Sequence, residues 1–472
     1  MQPLWSFSDL SAVLGIEPDG GAEGFVSGIS IDTRSLVAGD LFVALKDQRD
    51  GHEFVSAAFK AGAAAALVAN TYQRGADDGT LFRVPDPLTA LEALGRAARA
   101  RLHEDARIVA VTGSAGKTGT KEMLRACFSA LGPTHASEKS YNNHWGVPLT
   151  LARMPRQTRY GVFEIGMNHA GEIRPLTKMV RPHTAIVTTV EAVHLEHFPS
   201  VEGIADAKAE IFEGLEPGGQ AIIKYDNPYA SRLKTIAERL GAQSVTFGFD
   251  QKADVGGEDL KLGHDRSEMV VRLGSRRVPL RLAMPGRHIA ENALSVVAAL
   301  AAVGADVDRA LVVLANLQPP IGRGARSLLR IDGGEVLLID ESYNANPASM
   351  RAALATLASL PREKFPRRIA VLGDMLELGL DAPALHAGLK DAVDDAGIDL
   401  IFACGPHMKG LYDALPASKK GGYALTSSSL EDTVAANLQG GDAIVVKASN
   451  GTRLGAIVAA LKSRFGTESS VS

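Results

Sequence analysis

The chain is poor in cysteine. Cys127 and Cys404 are the only two among 472 residues, and they lie far apart. Such a pair has no metal-ligand spacing, and scarce cysteine is typical of a reducing compartment. The chain also lacks a run of about 20 apolar residues and a basic N-terminal region followed by an apolar segment. We therefore expect a cytoplasmic protein without a membrane span.

An excess of positive charge is missing as well. The 50 Lys and Arg residues face 54 Asp and Glu residues, which gives a net charge of −4 and argues against a nucleic-acid partner. Hydrophobic residues make up 46% and charged residues 22%, the proportions of a globular chain. A chain of 472 residues is too long for a single core, so about three domains are expected.

Short apolar runs alternate with helical patterns, which predicts an α/β protein with largely parallel sheets. The pattern breaks at Pro85-Asp-Pro87 and again at Gln318-Pro-Pro-Ile-Gly-Arg-Gly324. We expect a small N-terminal α/β domain at 1–86, a central parallel-sheet domain at 87–318 and a Rossmann-like domain at 319–472. In such sheets, ligands bind beyond the carboxyl ends of the strands.

The most informative motif is a glycine turn between an apolar strand and a helix. Gly113-Ser-Ala-Gly116 follows the strand Ile108–Thr112, and a helical pattern begins at Lys117. Such a turn wraps phosphates in backbone N–H groups, with Lys117 on the terminal phosphates and the Thr118 hydroxyl on Mg²⁺. A glycine normally stands where this chain has Val111, so the loop is a shortened P-loop; an ordinary turn with a surface lysine is the alternative. The predicted ATP-binding residues of the loop are Gly113, Ser114, Ala115, Gly116, Lys117, Thr118 and Gly119.

Three polar residues follow or end predicted elements of the central domain. Glu164 closes an apolar strand, where a carboxylate is costly unless a cation such as Mg²⁺ or hydrogen bonds satisfy it; an exposed edge strand is the alternative. His194 is one of two histidines that lie with two glutamates within seven residues. This cluster leaves metal binding and a surface role both open. Lys208 lies in a helical stretch, where the residues alone favour a solvent-exposed lysine.

Two polar loops follow strands of the C-terminal domain. Asp340-Glu-Ser-Tyr-Asn-Ala-Asn-Pro-Ala348 follows the strand Glu335–Ile339, and Gly373-Asp-Met-Leu-Glu-Leu-Gly379 follows Arg368–Leu372. Because both loops lie at the same edge of a parallel sheet, they predict a ligand-binding face; ordinary βα-loops are the alternative.

Together these motifs resemble those of the Mur ligases, the ATP-dependent amide ligases of peptidoglycan precursor synthesis. The resemblance covers essentially the whole chain and includes the shortened P-loop. The segments Tyr141–Pro148, Glu164–Asn168, Ser342–Pro347 and Leu372–Gly379 point to members that join D-alanyl-D-alanine to a UDP-N-acetylmuramoyl-tripeptide. The resemblance implies that the peptide carboxylate is first phosphorylated by ATP to an acyl phosphate, which the dipeptide amine then attacks.

The resemblance also implies the catalytic machinery. It assigns catalysis to Lys117, Glu164, His194 and Lys208, with two Mg²⁺ ions and a CO₂-derived carbamate on Lys208. The metal ligands would be Thr118, Glu164, His194 and the carbamate. Formation of that carbamate needs a neutral amine, so the pKa of Lys208 must lie well below its usual value of about 10.4.

Further contacts follow from the resemblance alone. Asn292 would contact adenine, Arg323 the γ-phosphate and Asp340 the neighbourhood of the ribose. The uridine nucleotide would be bound by Ser30, Thr33, Arg34, Asp50, Gly51 and His52. The dipeptide side would be formed by Tyr343, Asn344 and Asn346.

One segment departs from the family pattern. Family members often have Lys-Gly-Ser-Arg near the C-terminus, whereas this chain has Lys447-Ala-Ser-Asn-Gly-Thr-Arg453, with Asn450 in place of the arginine. The competing interpretations are a ligase that adds the third peptide residue, an enzyme similar to folylpolyglutamate synthetase, and a non-catalytic nucleotide-binding module. We expect the protein to be a monomer.

Overall fold

The computed structural model describes residues 3–21, 23–47, 49–138, 140–193, 196–263 and 265–468. Its larger sheets have four, nine and seven strands, and they follow one another along the chain in three α/β units. Within the described ranges, no helix is both long and apolar enough for a membrane span. The predicted α/β class is therefore confirmed.

The N-terminal unit contains a four-stranded parallel sheet in the order β3-β4-β5-β6. Strands β1 and β2 pair separately in an antiparallel manner. The strands are β1 Trp5–Ser6, β2 Phe25–Val26, β3 Gly28–Ser30, β4 Asp40–Val43, β5 Ala65–Ala69 and β6 Thr80–Val84. The helices are α1 Phe7–Leu14, α2 Val55–Lys60 and α3 Pro87–Ala100.

The predicted first linker is the start of helix α3. Asp86 caps this helix by accepting a hydrogen bond from the backbone N–H of Thr89 at 2.9 Å. Pro87 fits the first helical turn because no N–H is needed there. Leu91 of α3 packs in the N-terminal core together with Leu149 of the central unit. Helix α3 thus joins the two units instead of separating them.

The central unit contains a nine-stranded sheet in the order β15-β14-β13-β12-β11-β10-β7-β9-β8. The strands are β7 Arg107–Thr112, β8 Thr134–Ala136, β9 Tyr160–Glu164, β10 Thr184–Val187, β11 Gln220–Lys224, β12 Gln243–Gly248, β13 Val255–Leu262, β14 Ser267–Leu273 and β15 Arg276–Leu282. The helices are α4 Lys117–Ser129, α5 Gly146–Ala152, α6 Ile173–Val180, α7 Val201–Ala209, α8 Ala230–Arg239, α9 Arg287–Ala302 and α10 Val307–Leu314.

The sequence pattern predicted parallel strands in this sheet but missed β8, β12 and an antiparallel edge. Strand β14 pairs antiparallel with both β13 and β15. Strand β15 reads Arg276-Arg-Val-Pro-Leu-Arg-Leu282, and its exposed charges and proline are those of an edge strand, not of an apolar run.

Strand β7 separates two hydrophobic cores. Val109 and Val111 point into one core with Leu294 of α9, whereas Ile108 and Ala110 point into the other. Successive side chains of a strand face opposite sides of the sheet, so an apolar run is needed where both faces are covered. This placement fixes the carboxyl end of β7, from which the glycine turn starts.

The C-terminal unit contains a seven-stranded sheet in the order β20-β19-β18-β21-β17-β16-β22. At one edge of the sheet, β16 pairs antiparallel with β17, and β22 pairs antiparallel with β16. The strands are β16 Ala325–Ile331, β17 Gly334–Glu341, β18 Arg367–Gly373, β19 Leu400–Cys404, β20 Lys420–Ala424, β21 Asp442–Lys447 and β22 Thr467–Glu468. The helices are α11 Pro347–Ala358, α12 Ala382–Ala387, α13 Lys390–Asp395, α14 Met408–Ala414, α15 Glu431–Ala436 and α16 Gly455–Phe465.

His183 makes the stability of the central sheet dependent on pH. Its Nδ1 accepts a hydrogen bond from the N–H of Ile108 at 3.0 Å, which only the deprotonated nitrogen can do. Burial, with the charges of Arg99 and Arg107, lowers the pKa of His183 to about 4. The unfolded chain therefore binds more protons between about pH 6.5 and 4, and stability falls as pH falls through this range, by at most about 1.4 kcal/mol per pH unit.

We expect the substitution His183→Asn to flatten this part of the stability profile. The Asn side chain keeps an acceptor near the position of Nδ1 but does not titrate. Urea denaturation of both proteins at a series of pH values from about 7.5 to about 4 measures the difference. The matched control is His103→Asn, because His103 is 73% exposed. Parallel profiles for the native chain and His183→Asn would contradict the assignment.

Candidate functional site

The turn between β7 and α4 has the backbone geometry of a phosphate loop. Gly113 and Gly116 have φ angles of +151° and +82°, a region that favours glycine. Ser114 secures the loop, since its N–H donates to the carbonyl of Thr189 at 2.9 Å. Helix α4 starts after Gly116 with no side chain capping it, so its first N–H groups are available to an anion.

Gly113 cannot carry a side chain in this position. An added Cβ would lie 1.9 Å from Oγ1 of Thr188, and the φ angle adds backbone strain. We expect Gly113→Ala to lower the free energy of unfolding by about 2–4 kcal/mol and to abolish nucleotide binding. Urea denaturation and ADP titration measure the two effects.

Gly274 offers the matched control. It also has a positive φ of +59°, but nothing lies within 4 Å of an added Cβ. Gly274→Ala should therefore cost about 1 kcal/mol of backbone strain and leave ADP binding intact. Equal effects of the two substitutions would show that the contact with Thr188 does not constrain the loop.

The phosphate loop faces a cavity of about 670 Å³ between the central and C-terminal units. The carboxyl ends of parallel strands from both sheets open into it, which is where α/β sheets bind ligands. Its lining includes Ser114, Gly116, Lys117, Thr118, Asn142, Glu164, His288, Asn292, Arg323, Tyr343, Asn344, Asn346, Glu377, Lys447 and Asn450. The predicted ligand-binding faces of the two units therefore meet in one cavity.

Glu164 is the buried carboxylate of this cavity. It is only 1% exposed, and β9 lies between β7 and β8, so the edge-strand alternative is wrong. One carboxylate oxygen accepts a hydrogen bond from Thr118 Oγ1 at 2.9 Å, and the other accepts from Asn142 Nδ2 at 2.8 Å. Sequence reasoning missed Asn142 as an individual site residue, although the Tyr141–Pro148 motif contains it.

Lys117 lies beside this carboxylate. Its Nζ donates to the carbonyl oxygen of Gly113 at 2.6 Å, so the side chain folds back along its own loop. Burial lowers the pKa of Lys117, and the negative charge of Glu164 opposes that effect. The ammonium group is thus held at the phosphate loop.

Lys208 is buried on the inner side of α7. Its exposure is 1%, so the prediction of a solvent-exposed helix lysine is wrong. Burial and the nearby charge of Lys117 hold the pKa of Lys208 well below its usual value. Among the described residues, no carboxylate forms an ion pair with it. A lowered pKa is the condition for carbamate formation, because only the neutral amine attacks CO₂.

The structure tests the predicted metal ligands only in part. His194 lies outside the described residues. Within those residues, no group of three or more His, Cys, Asp and Glu side chains is arranged to hold a metal ion. The carboxylate of Glu164 and the hydroxyl of Thr118 are oxygen donors 2.9 Å apart. A pair of hard oxygen donors fits Mg²⁺, which usually keeps several water ligands and binds substrate phosphates.

The C-terminal unit contributes positive charge to the opposite wall. The guanidinium carbon of Arg323 lies 4.2 Å from the centre of the Tyr343 ring, a cation–π contact that orients Arg323. Lys447 is 2% exposed and donates to the carbonyl of Asn344 at 2.9 Å. Burial lowers its pKa, and Glu341 opposes this. Lys447 was missing from the predicted site residues, although its motif was noted.

Asn292 and Asp340 have different surroundings. Asn292 lies against the phosphate loop, because a Cβ on Gly116 would be 2.5 Å from its Oδ1. The buried carboxylate of Asp340 does not line the cavity in the described structure; it accepts hydrogen bonds from the N–H of Gly322 and the hydroxyl of Ser342. Asp340 thus fixes the interdomain linker, and its contact with ribose stays a prediction.

The altered C-terminal motif has a clear geometry. Asn450 lines the cavity, whereas Arg453 is exposed, has a φ angle of +57° and is absent from the described lining. In the part of the chain that the structure describes, Asn450 lines the cavity and Arg453 does not. Glu377, with a φ angle of +63°, lines the same side and was not predicted individually.

The predicted uridine-nucleotide residues lie away from this cavity, at the carboxyl edge of the N-terminal sheet. Ser30 ends β3, and Arg34 is exposed and paired with Asp32. Asp50 contacts His52 Nδ1 at 2.6 Å, while His52 Nε2 accepts a hydrogen bond from the N–H of Ala69 at the end of β5. In the described structure none of Ser30, Thr33, Arg34, Asp50, Gly51 and His52 lines the cavity at the phosphate loop.

The fold and site define a nucleotide-binding α/β protein whose phosphate loop faces a second domain across a cleft. Residues 111–300 match the family described as the Mur ligase middle domain. Residues 326–450 match the one described as the Mur ligase, glutamate ligase domain. The chain belongs to the Mur ligase family.

Named relatives cover nearly the full length. The UDP-N-acetylmuramoyl-tripeptide–D-alanyl-D-alanine ligase of Escherichia coli is 38% identical over 85% of this chain and 86% of its own length. The protein of that name from Rickettsia prowazekii is 30% identical over 96% and 99%. A crystal structure of MurF from Acinetobacter baumannii is 28% identical, with a TM-score of 0.84 over 98% of this chain and all of that chain.

Proposed function

We propose that the protein is an ATP-dependent ligase that joins D-alanyl-D-alanine to UDP-N-acetylmuramoyl-tripeptide in peptidoglycan precursor synthesis. The observation that carries this proposal is the cavity in which the phosphate loop and Glu164 of the central unit face Arg323 of the C-terminal unit, with the buried Lys208 near enough to Lys117 for their charges to interact. A nucleotide-binding module needs the loop but has no use for a buried lysine beside it. The names of the full-length relatives supply the substrates.

In the first step, a carboxylate oxygen of the tripeptide attacks the γ-phosphorus of ATP, and ADP leaves. Negative charge spreads over the phosphoryl oxygens in the transition state, so fixed positive groups accelerate the step. Lys117 and the N-terminus of α4 approach from the central unit, and Arg323 from the C-terminal unit. The product is an acyl phosphate, which a closed cavity protects from water.

Glu164 and Thr118 would hold Mg²⁺ at this point. When bound, Mg²⁺ neutralises charge on the phosphate oxygens. The fit rests on Glu164, a buried carboxylate that faces the phosphate loop and receives only neutral donors in its two hydrogen bonds. A second Mg²⁺ would use Glu164, the carbamate on Lys208 and His194. The structure describes Glu164 and Lys208, whereas His194 lies outside the described residues.

Carbamylation would turn Lys208 into a negatively charged group near Lys117. The neutral amine nitrogen attacks the carbon of CO₂ and loses a proton, which leaves an anionic carbamate. That anion would offset the nearby charge of Lys117 and provide an oxygen ligand for Mg²⁺. The burial of Lys208 supports this proposal, since an exposed ammonium would remain protonated.

In the second step, the amine of D-alanyl-D-alanine attacks the carbonyl carbon of the acyl phosphate, and a tetrahedral intermediate forms. The carbon–oxygen bond to phosphate then breaks, and the nitrogen loses a proton. Tyr343, Asn344 and Asn346 line the C-terminal wall and would face the dipeptide. Ser30, Thr33, Arg34, Asp50, Gly51 and His52 would bind the uridine nucleotide, and Asn292 the adenine. We place this activity in the cytoplasm, in a monomer.

The direct test is release of inorganic phosphate from ATP with purified UDP-linked tripeptide, with and without D-alanyl-D-alanine. We expect sustained release and ligated product only when both substrates are present. Three alternative substrates distinguish this activity from that of other ligases. They are single amino acids in place of the dipeptide, a UDP-linked dipeptide in place of the tripeptide, and a folate acceptor. ATP binding without any product would show a nucleotide-binding module and contradict the proposal.

A further inference from the structure

A second cavity, of about 380 Å³, lies between the central unit, which contributes residues just before β14 and at the end of β15, and strands β16 and β17 of the C-terminal unit. We call it the linker pocket, because Ala315, Asn316, Gln318 and Pro319 form one of its walls. It shares Met284 and Gln318 with the first cavity, but no residue of the phosphate loop lines it. The pocket is therefore separate from the site described above.

The linker pocket has an excess of positive charge. Four cationic side chains line it, and Asp265 is the single carboxylate in its described lining. The cations are Arg266, Arg281, Arg326 and Lys364. Asp265 accepts two hydrogen bonds of 3.0 Å from Arg266, and its charge also acts on Arg326.

Arg326 is the cation of this pocket whose pKa responds to burial. Burial lowers the pKa of its guanidinium to about 10, and the negative charge of Asp265 opposes this effect. An anion bound in the pocket would lie among four cations and one carboxylate, with Arg326 partly shielded from water. The charge balance of the pocket thus favours a negatively charged ligand.

The remaining lining is largely apolar. Met284, Leu328, Leu337 and Phe365 form this part of the wall, and Phe365 is only 5% exposed. A volume of about 380 Å³ is within the range of pockets that enclose small organic ligands. An inorganic anion would leave the apolar wall uncovered, whereas an apolar body bearing one anionic group would satisfy both parts.

We propose that the linker pocket binds a small organic anion, with a phosphate or carboxylate facing Arg281, Arg326 and Lys364 and an apolar body against Phe365. Such a ligand contacts the central unit, the linker and the C-terminal unit at once. It therefore stabilises the orientation in which the two units enclose the pocket.

The test is calorimetric titration of the full-length protein, saturated with Mg²⁺ and ADP, with phenyl phosphate, benzoate and benzyl alcohol as probes. Saturation with ADP keeps the probes from the phosphate loop. We expect at least one of the two anions to bind with a stoichiometry of one, and the neutral alcohol to bind at least about tenfold more weakly. The comparison of phenyl phosphate with benzoate identifies the preferred anionic group.

Arg281 and Lys364 are exposed, so the double variant Arg281→Gln/Lys364→Gln should fold normally. We expect it to bind the anion about tenfold to a hundredfold more weakly. The control is Arg276→Gln/Arg277→Gln, which also removes two exposed charges, both from β15, but lies outside the pocket. It should bind like the native chain.

Three results would overturn the proposal. They are the absence of binding of either anion by the native chain, equal affinity in the Arg281→Gln/Lys364→Gln variant, and displacement of the bound anion by additional ADP. None of these measurements depends on ligase activity, so the proposal can fail while the proposed function stands.

Discussion

Replacing Lys208 by alanine is expected to abolish ligation, with a loss of kcat of about 10³-fold or more. Lys208 is buried, and burial together with the nearby charge of Lys117 holds its pKa well below the usual value, so its amine is the proposed site of the carbamate. Alanine removes that group together with the charge it would provide. Added bicarbonate should not restore activity, because the variant has no amine to carbamylate.

The control for this substitution is Lys178→Ala. Lys178 lies in helix α6 of the same unit, but its side chain is 55% exposed. We expect the control to retain native activity and both variants to keep the native circular dichroism spectrum. A carbamate signal in ¹³C NMR after incubation with labelled bicarbonate should appear in the native chain and be lost in Lys208→Ala. Ligation near the native rate in this variant would remove the carbamate from the mechanism.

Replacing Glu164 by glutamine should lower kcat by about 10² to 10³-fold and raise the Mg²⁺ concentration needed for half-maximal activity. Glutamine has the shape of glutamate and can still accept the hydrogen bond from Thr118, which spans 2.9 Å in the native chain. The charge is lost with little change in shape, and the amide nitrogen of glutamine replaces the oxygen that accepts from Asn142. The Mg²⁺ dependence therefore reports on cation binding separately from the loss of this hydrogen bond.

A titration of activity with Mg²⁺ at saturating ATP measures this effect. The matched control is Glu202→Gln, because Glu202 is an exposed carboxylate in the first turn of α7. It should leave both kcat and the Mg²⁺ dependence unchanged. A Glu164→Gln enzyme that loses activity with an unchanged Mg²⁺ dependence would show that Glu164 does not hold the cation.

The parts of the fold that sequence reasoning found are those that local pattern determines. Strand β7 is apolar on both faces because helices cover both faces, and the run from Ile108 to Thr112 shows this directly. The glycines of the phosphate loop are needed for its backbone angles, so that loop is also encoded locally. Glu164 was identifiable because a carboxylate inside an apolar strand needs a partner.

The parts that were missed depend on contacts between distant segments. Lys208 lies in a helix whose local sequence is compatible with exposure, and only the packing of α7 against the central sheet buries it. Strand β15 has exposed arginines because one of its edges is unpaired. The hydrogen bonds that the Asp340 carboxylate accepts from Gly322 and from Ser342 are likewise visible only in the folded chain.

The most direct test of the proposed chemistry follows oxygen through the reaction. UDP-N-acetylmuramoyl-tripeptide labelled with ¹⁸O in its reacting carboxylate is incubated with the enzyme, ATP and D-alanyl-D-alanine, and the released phosphate is analysed by ³¹P NMR. Formation of an acyl phosphate predicts that each phosphate carries one oxygen from the peptide. Unlabelled phosphate accompanying ligated product would contradict the mechanism proposed for the cavity around Lys117, Glu164 and Lys208.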